Sequence, residues 1–179
     1  MDSFIFRGKS YSYFDHPGNQ TRVNERRMEL PLAFEFVESH KESLLEVGNV
    51  TRHYHREFGH DVVDLFEQSK WPIFNEDILA FTPKEKYKAV LSVSTVEHTV
   101  DPRGAINKIV SLSPVYFITM PLGYSSNNGV LDLPFPMYFM KRVCLEDNHW
   151  EEGTKEDASK ASYGSPYPFA NVVVVITNT

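Results

Sequence analysis

Residues 44–54 read LLEVGNVTRHY. With Ser43 in front, residues 43–48 form a short apolar run that carries an acid, Glu46, and stops at Gly48, the pattern of a buried strand ending in a tight turn. Gly48 permits a close approach that a Cβ would block, and Asn49 tolerates left-handed dihedrals better than most residues. In a doubly wound sheet, ligands bind at the carboxyl ends of the strands near the switch point. The rest of the chain is therefore read for further strands and for the residues just after each.

Residues 60–66 (HDVVDLF) are β-branched with an acid near the end, and residues 75–81 (NEDILAF) begin with acids and turn apolar; these read as strands 2 and 3. The link between them is too short, and at Trp71-Pro72 too broken, for the crossover helix that parallel strands usually need. Residues 87–94 (YKAVLSVS) are the best strand in the chain, 103–112 read as a helix and 114–120 (PVYFITM) as the next strand. On the amino-terminal side, Val23, Leu30, Ala33, Phe34 and Val37 predict an amphipathic helix over 22–39, kinked at Pro31. On the other side, strands are expected at 137–145 and 171–177, with a polar, mobile loop over 146–165 between them. Strands alternating with short helices predict an α/β layered sheet of Rossmann-like type in a single domain spanning 1–179. Within it, 1–40 form a leading arm and helix, 41–122 a ligand-binding core and 123–179 the terminal strands.

Four strand ends carry chemistry. Glu46 precedes the Gly48-Asn49 turn; it is read either as a ligand-side acid or as a cap that accepts backbone hydrogen bonds from the turn. Asp64 lies 18 positions beyond Glu46, near the ~20-residue offset at which a carboxylate chelates ribose hydroxyls in dinucleotide folds, although a strand-end Asp is often a turn former. Glu76-Asp77-Ile78 offers an acid for an exocyclic amine and a backbone N–H for a ring nitrogen, which together read adenine. Residues 92–99 (SVSTVEHT) end a strand in the small hydroxyls Ser94 and Thr95, followed by Glu97 and His98 at a helix start where backbone N–H groups are free. An imidazole ionises near neutrality, so His98 is a candidate base; the alternative is a local hydrogen bond to backbone.

This series, continued by FITMPLGY at 117–124, resembles the successive motifs of class I S-adenosylmethionine-dependent methyltransferases. It is most similar to a bacterial and archaeal group often found beside glycan-assembly genes. Asn24-Glu25-Arg26 and Glu29-Leu30-Pro31 carry the same resemblance, which extends over about 13–124. It implies a seven-stranded sheet of order 3-2-1-4-5-7-6 with the last strand antiparallel. It further implies S-adenosylmethionine as cofactor and a small-molecule or glycan-like methyl acceptor. Glu46, Gly48 and Asn49 would line the methionine side, Asp64 the ribose, Glu76, Asp77 and Ile78 the adenine, and Ser94 and Thr95 the sulfonium, with Glu97 and His98 on the substrate side as catalytic candidates. The family's E/D-x-G-x-G-x-G is broken here, with Val50 and Arg52 at its second and third glycines. That departure motivates an alternative, a methyltransferase-like domain that binds a partner without catalysis.

Bulk properties narrow the choice. The 179 residues carry 24 Asp+Glu against 18 Lys+Arg, a net charge of -6, with no block of basic residues to neutralise phosphates, so nucleic acid is not an expected partner. The longest apolar runs, at 89–93 and 172–176, fall far short of the ~20 residues that span a bilayer. With one cysteine, Cys144, no internal disulfide is available, and the amino-terminal residues show no secretory pattern; a cytoplasmic location is the expectation, with monomer and homodimer both open. A nucleotide-sugar or NAD enzyme finds little support without G-x-G-x-x-G. A zinc site at His53, His55 and His60 lacks H-E-x-x-H and cysteine partners. Tyr11, Tyr13, Phe14 and His16 suit packing of the leading arm better than a lid over substrate.

Overall fold

Three strands in the computed structural model are buried at every position: β3 (Leu44–Val47), β5 (Ala89–Val93) and β6 (Tyr116–Pro121). The structure describes residues 3–17, 20–55, 57–68, 72–124, 129–166 and 168–179; Trp71 lies outside them. Burial on both faces follows from the pleat. Leu45, Val47, Val90, Ile118 and Met120 point to one side, and Leu44, Ala89, Leu91, Val93 and Phe117 to the other.

The first face is covered by helix α3 (Pro102–Leu112) through Ala105, Ile106 and Ile109, and the second by α1 (Arg26–His40) through Met28, Leu32, Ala33, Phe36 and Val37. Helix α3 starts where the chain dictates, since Asp101 accepts the Gly104 N–H as its cap and Pro102 occupies the first turn, where a missing N–H costs nothing. Helix α1 begins at Arg26, not near Arg22, and continues through Pro31. The carbonyl of Arg27, which loses its partner because Pro31 has no N–H, accepts instead from Phe14 N at 3.0 Å. The leading arm thereby satisfies the helix. Its hairpin, β1 (Ser3–Phe6) with β2 (Lys9–Ser12), lays Phe4 and Phe6 on the α1 face, and Phe14 packs edge-on against Phe34 and Tyr54.

The main sheet also includes β4 (Asp61–Val63), β7 (Met137–Cys144), β8 (His149–Gly153) and β9 (Val172–Thr177), in the order β4-β3-β5-β6-β9-β7-β8. Strands β4, β3, β5 and β6 are mutually parallel, while β9 and β8 run against the rest. This corrects the expected order and parallelism, though not the number of strands. Residues 75–81 form no strand; only an isolated parallel bridge, Val63 to Phe74, occupies the edge beyond β4. There Asp77 accepts Leu79 N through Oδ1 (2.9 Å), and its carbonyl accepts from Ala80 and Phe81, closing a turn that competes with strand pairing. The seventh strand, β8, stands at the opposite edge, inside the segment expected to be a mobile loop over 146–165. That segment also holds a short helix, α4 (Lys155–Ser159), opened by a reciprocal Thr154–Asp157 capping box. Trp150, fully buried, and Asn148, which donates to the carbonyls of Thr21 and Asn24 and accepts from Trp150 Nε1, fix β8 to the leading arm. Among the described residues no helix is long and apolar enough to cross a membrane.

Candidate functional site

The chain leaves β3 toward β4 on one side and, after β5, toward β6 on the other, so the carboxyl ends of β3 and β5 flank the switch point. Gly48 ends β3 with φ +85, and a Cβ built there would lie 2.2 Å from Thr95 Oγ1. The loop after β5 thus rests on the loop after β3 at the one place where the backbone carries no side chain. On the other flank, Asn49 N donates to Asp64 Oδ2 (3.3 Å), joining the end of β4 to the same turn. Asp64 Oδ1 accepts from Phe66 N and Glu67 N, both at 2.9 Å, and Oδ2 has capacity for a further donor. Three strand-end loops therefore form one continuous rim.

The turn that holds Asp77 reaches this end of the sheet from the α3 side. Ile78 and Phe81 are buried beside Val63 and Ala105, and Leu79 lies 3.2 Å from where a Cβ on Gly104 would stand. Glu76 is exposed and Asp77 half-buried.

Glu46 is wholly buried and engaged within the protein. Oε1 accepts from Val50 N (3.0 Å) and Thr51 N (2.6 Å), and Oε2 from Thr51 Oγ1 (2.8 Å), with His60 Nε2 at 2.8 Å. It anchors the first turn of the short helix α2 (Thr51–Tyr54), as in the capping reading. The same contact takes His60 away from His53 and His55, the latter pairing with Glu57 at 2.8 Å; among the described residues no group of three or more His, Cys, Asp or Glu side chains is arranged to hold a metal ion. Arg52 turns toward the β4 edge, donating to the carbonyls of His60 and Pro72, and Val50 packs with the α1-face cluster. Neither side chain lies on Gly48.

A second group, whose acids Glu25 and Glu29 entered the sequence reading only through the family resemblance, sits above the end of β5. Ser94 adopts φ +40, a left-handed conformation unfavourable for a side-chain-bearing residue. It is held there by its N–H to Thr119 O and by its hydroxyl, which lies 2.7 and 2.8 Å from the two oxygens of the buried Glu29. Glu97, 3% exposed, stands two residues beyond Thr95. Burial, with added repulsion from Glu29 and Glu25 and partial relief from its own backbone hydrogen bond and Arg26, pushes its carboxyl up to about 8. Glu25 is buried too and its carboxyl is likewise raised, by burial first and by Glu29 second. His98 Nε2 is 3.7 Å from Glu97, and the ring is mostly exposed and meets Tyr124 edge-on at 5.6 Å; Tyr124 in turn meets Tyr163 at 4.8 Å. The readable sign of this group was an acid, Glu29, between Met28 and Leu30 on the buried side of a helix. Phe66, 84% exposed next to the strand-end acid Asp64, also escaped the sequence reading.

No protein-family profile matches the chain, and no curated protein matches its sequence. Among solved structures it is similar to the N-methyltransferase NodS from Bradyrhizobium japonicum WM9 in complex with S-adenosyl-L-homocysteine. They share 12% identity over 86% of this chain and 87% of that one, with a TM-score of 0.50. It is also similar to an S-adenosylmethionine-dependent methyltransferase from Thermotoga maritima, at 12% identity over 76% of this chain and 82% of that one, with a TM-score of 0.49. At such identities a likeness speaks to architecture, and the first comparison carries it: the chain has the Rossmann-like α/β fold found in methyltransferases.

Proposed function

We propose that the protein is an S-adenosylmethionine-dependent methyltransferase acting on a small-molecule acceptor. The observation that carries this reading is the joining of the β3, β4 and β5 loops into one rim at the switch point, through Asn49 to Asp64 and Gly48 to Thr95. The residues present fit an adenosine-bearing donor. Asp64 retains acceptor capacity for a ribose diol, and Asp77 has a carboxylate oxygen with no protein partner among the described residues for an exocyclic amine. The exposed ring of Phe66 offers a flat apolar surface beside Asp64. Val50 and Arg52 turn away from Gly48, which Thr95 covers instead, so the crowding by those two side chains that motivates a non-catalytic domain is not met. Glu46 contributes by holding the turn rigid through α2 rather than by touching the ligand.

The donor, when bound, supplies an activated methyl group on a sulfonium. The chain's part is to aim the acceptor: an oxygen or nitrogen lone pair forms a bond to the methyl carbon as the carbon–sulfur bond breaks, and the acceptor's proton passes to a base or to water. Alignment alone supplies about 7–11 kcal/mol toward such a barrier. Glu97, beside the end of β5, is the base this reading favours; His98, exposed and 3.7 Å away, can carry the proton on to solvent.

Calorimetry with S-adenosylmethionine and S-adenosylhomocysteine tests the reading. Both ligands are expected to bind, with Asp64→Ala and Asp77→Ala each weakening affinity about tenfold or more, the worth of a hydrogen bond to a charged group. No heat from either ligand at high protein concentration would defeat it.

A further inference from the structure

Three carboxylates, from Glu25, Glu29 and Glu97, are buried above the end of β5 at 6%, 0% and 3% exposure. Ser94 takes up Glu29. Among the described residues, the buried Glu25 Oε2 has no hydrogen-bond partner, and the buried Nη1 of Arg26 has none either. An unmatched carboxylate oxygen and an unmatched guanidinium N–H next to each other in sequence, both away from water, are costly unless something else joins them. Polar groups surround them: Tyr54 on α2, influenced by Arg26 and Glu29; Tyr163 before β9, influenced by Glu25 and Glu97 and in ring contact with Tyr124 after β6; and Arg142 on β7, which acts on Glu25 electrostatically. On the α2 side Arg26 also borders a cavity of about 250 Å³, shared with Asn24, Asn49, His53 and Tyr54.

We infer that this acidic group is the acceptor's seat and that it takes a protonated primary amine with a neighbouring hydroxyl, as in an amino sugar, the ammonium meeting Glu25 and Glu97 and the hydroxyl accepting from Arg26. The inference rests on the methyl-transfer reading for the chemistry after binding, but the binding stands without it. Burial holds Glu25 and Glu97 back from ionising, and an ammonium supplies the counter-charge that lets them do so, whereas a neutral hydroxyl compound leaves Glu25 Oε2 to be satisfied by a weaker donor. The raised carboxyl of Glu97 then has a role. An ammonium beside it favours its ionised form, so binding expels a proton to solvent. The carboxylate so formed can take one N–H proton from the ammonium, leaving the nitrogen lone pair free to attack. His98, from the same turn as Glu97, and Tyr163 are the other titratable groups near enough to share that proton.

The test is calorimetry without methyl donor, at pH 7.5, in phosphate and in HEPES, whose ionisation heats differ and neither of which is a primary amine. Glucosamine, galactosamine and ethanolamine are titrated against glucose, galactose and ethylene glycol. At least one amine is expected to bind about tenfold or more tighter than its hydroxyl counterpart, with a buffer-dependent heat that reports proton release. Glu97→Gln should remove most of the proton release, leaving the smaller share from Glu25, and Glu25→Gln should abolish the preference for the amine. S-adenosylhomocysteine binding by each variant serves as the check that the fold and donor side are intact. Equal binding of amines and hydroxyl compounds, no binding by any amine, or amine binding with no dependence on buffer overturns the inference. Donor binding without amine binding sinks this inference alone, and amine binding without donor binding sinks the methyl-transfer reading alone.

Discussion

Glu97 makes the protein's stability fall as the medium becomes alkaline, and Glu97→Gln should remove that fall. Its carboxyl is ordinarily half-ionised at about 4.5 and in the fold only at about 8, because burial disfavours the charge and Glu29 and Glu25 repel it more than Arg26 relieves it. Between those two pH values the unfolded chain has released the proton while the folded chain still holds it. Stability therefore declines with rising pH across this window, and is unaffected by this group below it. At about 1.36 kcal/mol for each pH unit of that gap, the full cost is about 4–5 kcal/mol once Glu97 is ionised, and water entry on opening of the turn reduces it to roughly 2–4 kcal/mol. Glutamine keeps the shape and cannot ionise. Urea unfolding from pH 5 to 8.5 reads the difference; with m of about 1–3 kcal/mol/M the wild-type midpoint should drop by about 1–2 M relative to the variant. Glu25 contributes in the same sense and repels Glu97, so its share is separated by comparing Glu25→Gln in both backgrounds. His98 Nε2 is 3.7 Å from Glu97, so the pair is also compared with His98→Ala in both backgrounds. Identical pH slopes for wild type and Glu97→Gln would refute the reasoning, since Glu97 would then be solvated or charge-paired in the fold.

Two further substitutions probe the rim. Glu46→Ala leaves Val50 N, Thr51 N, Thr51 Oγ1 and His60 Nε2 facing an empty, dry space, and should cost about 3–5 kcal/mol in denaturant unfolding. Glu46→Gln, which keeps one acceptor for the two backbone donors, should cost less than half as much. Gly48→Ala combines a left-handed backbone, at about 1–2 kcal/mol, with a methyl group forced onto Thr95, at about 1–3 kcal/mol. Adding Thr95→Gly should return only the second share, and thermal unfolding of the single and double variants checks the split.

The central strands were legible because each is short, apolar at most positions and bounded by polar or glycine residues, the pattern of a strand covered on both faces. The expected strand at 75–81 failed for a local reason. Asp77 bonds to the backbone just after it, and Ile78 and Phe81, three apart, face the core together from a turn. Strand β8 was missed because it is an edge: of its five residues only Trp150 is fully buried, and a single apolar residue in an acidic stretch gives no alternation to read. At the site, the positions following β3, β4 and β5 stand out by motif, but their partners do not. Nothing local in the chain joins Asn49 to Asp64 or Ser94 to Glu29, 65 positions away.

By itself, then, the sequence determined the layered α/β architecture, the ends of strands at which polar residues gather, and the turn at Gly48, since these follow from the local pattern of apolar, acidic and glycine residues. Only the tertiary structure decided that Glu46 is consumed by α2 and His60, that Thr95 rather than Val50 or Arg52 lies over Gly48, and that Glu25, Glu29 and Glu97 are all buried and repel one another. The physical reason is that burial and electrostatic coupling are properties of what surrounds a group. For these carboxylates the surroundings come from segments far apart in the chain, brought together by packing of α1 and the β5 loop over the sheet.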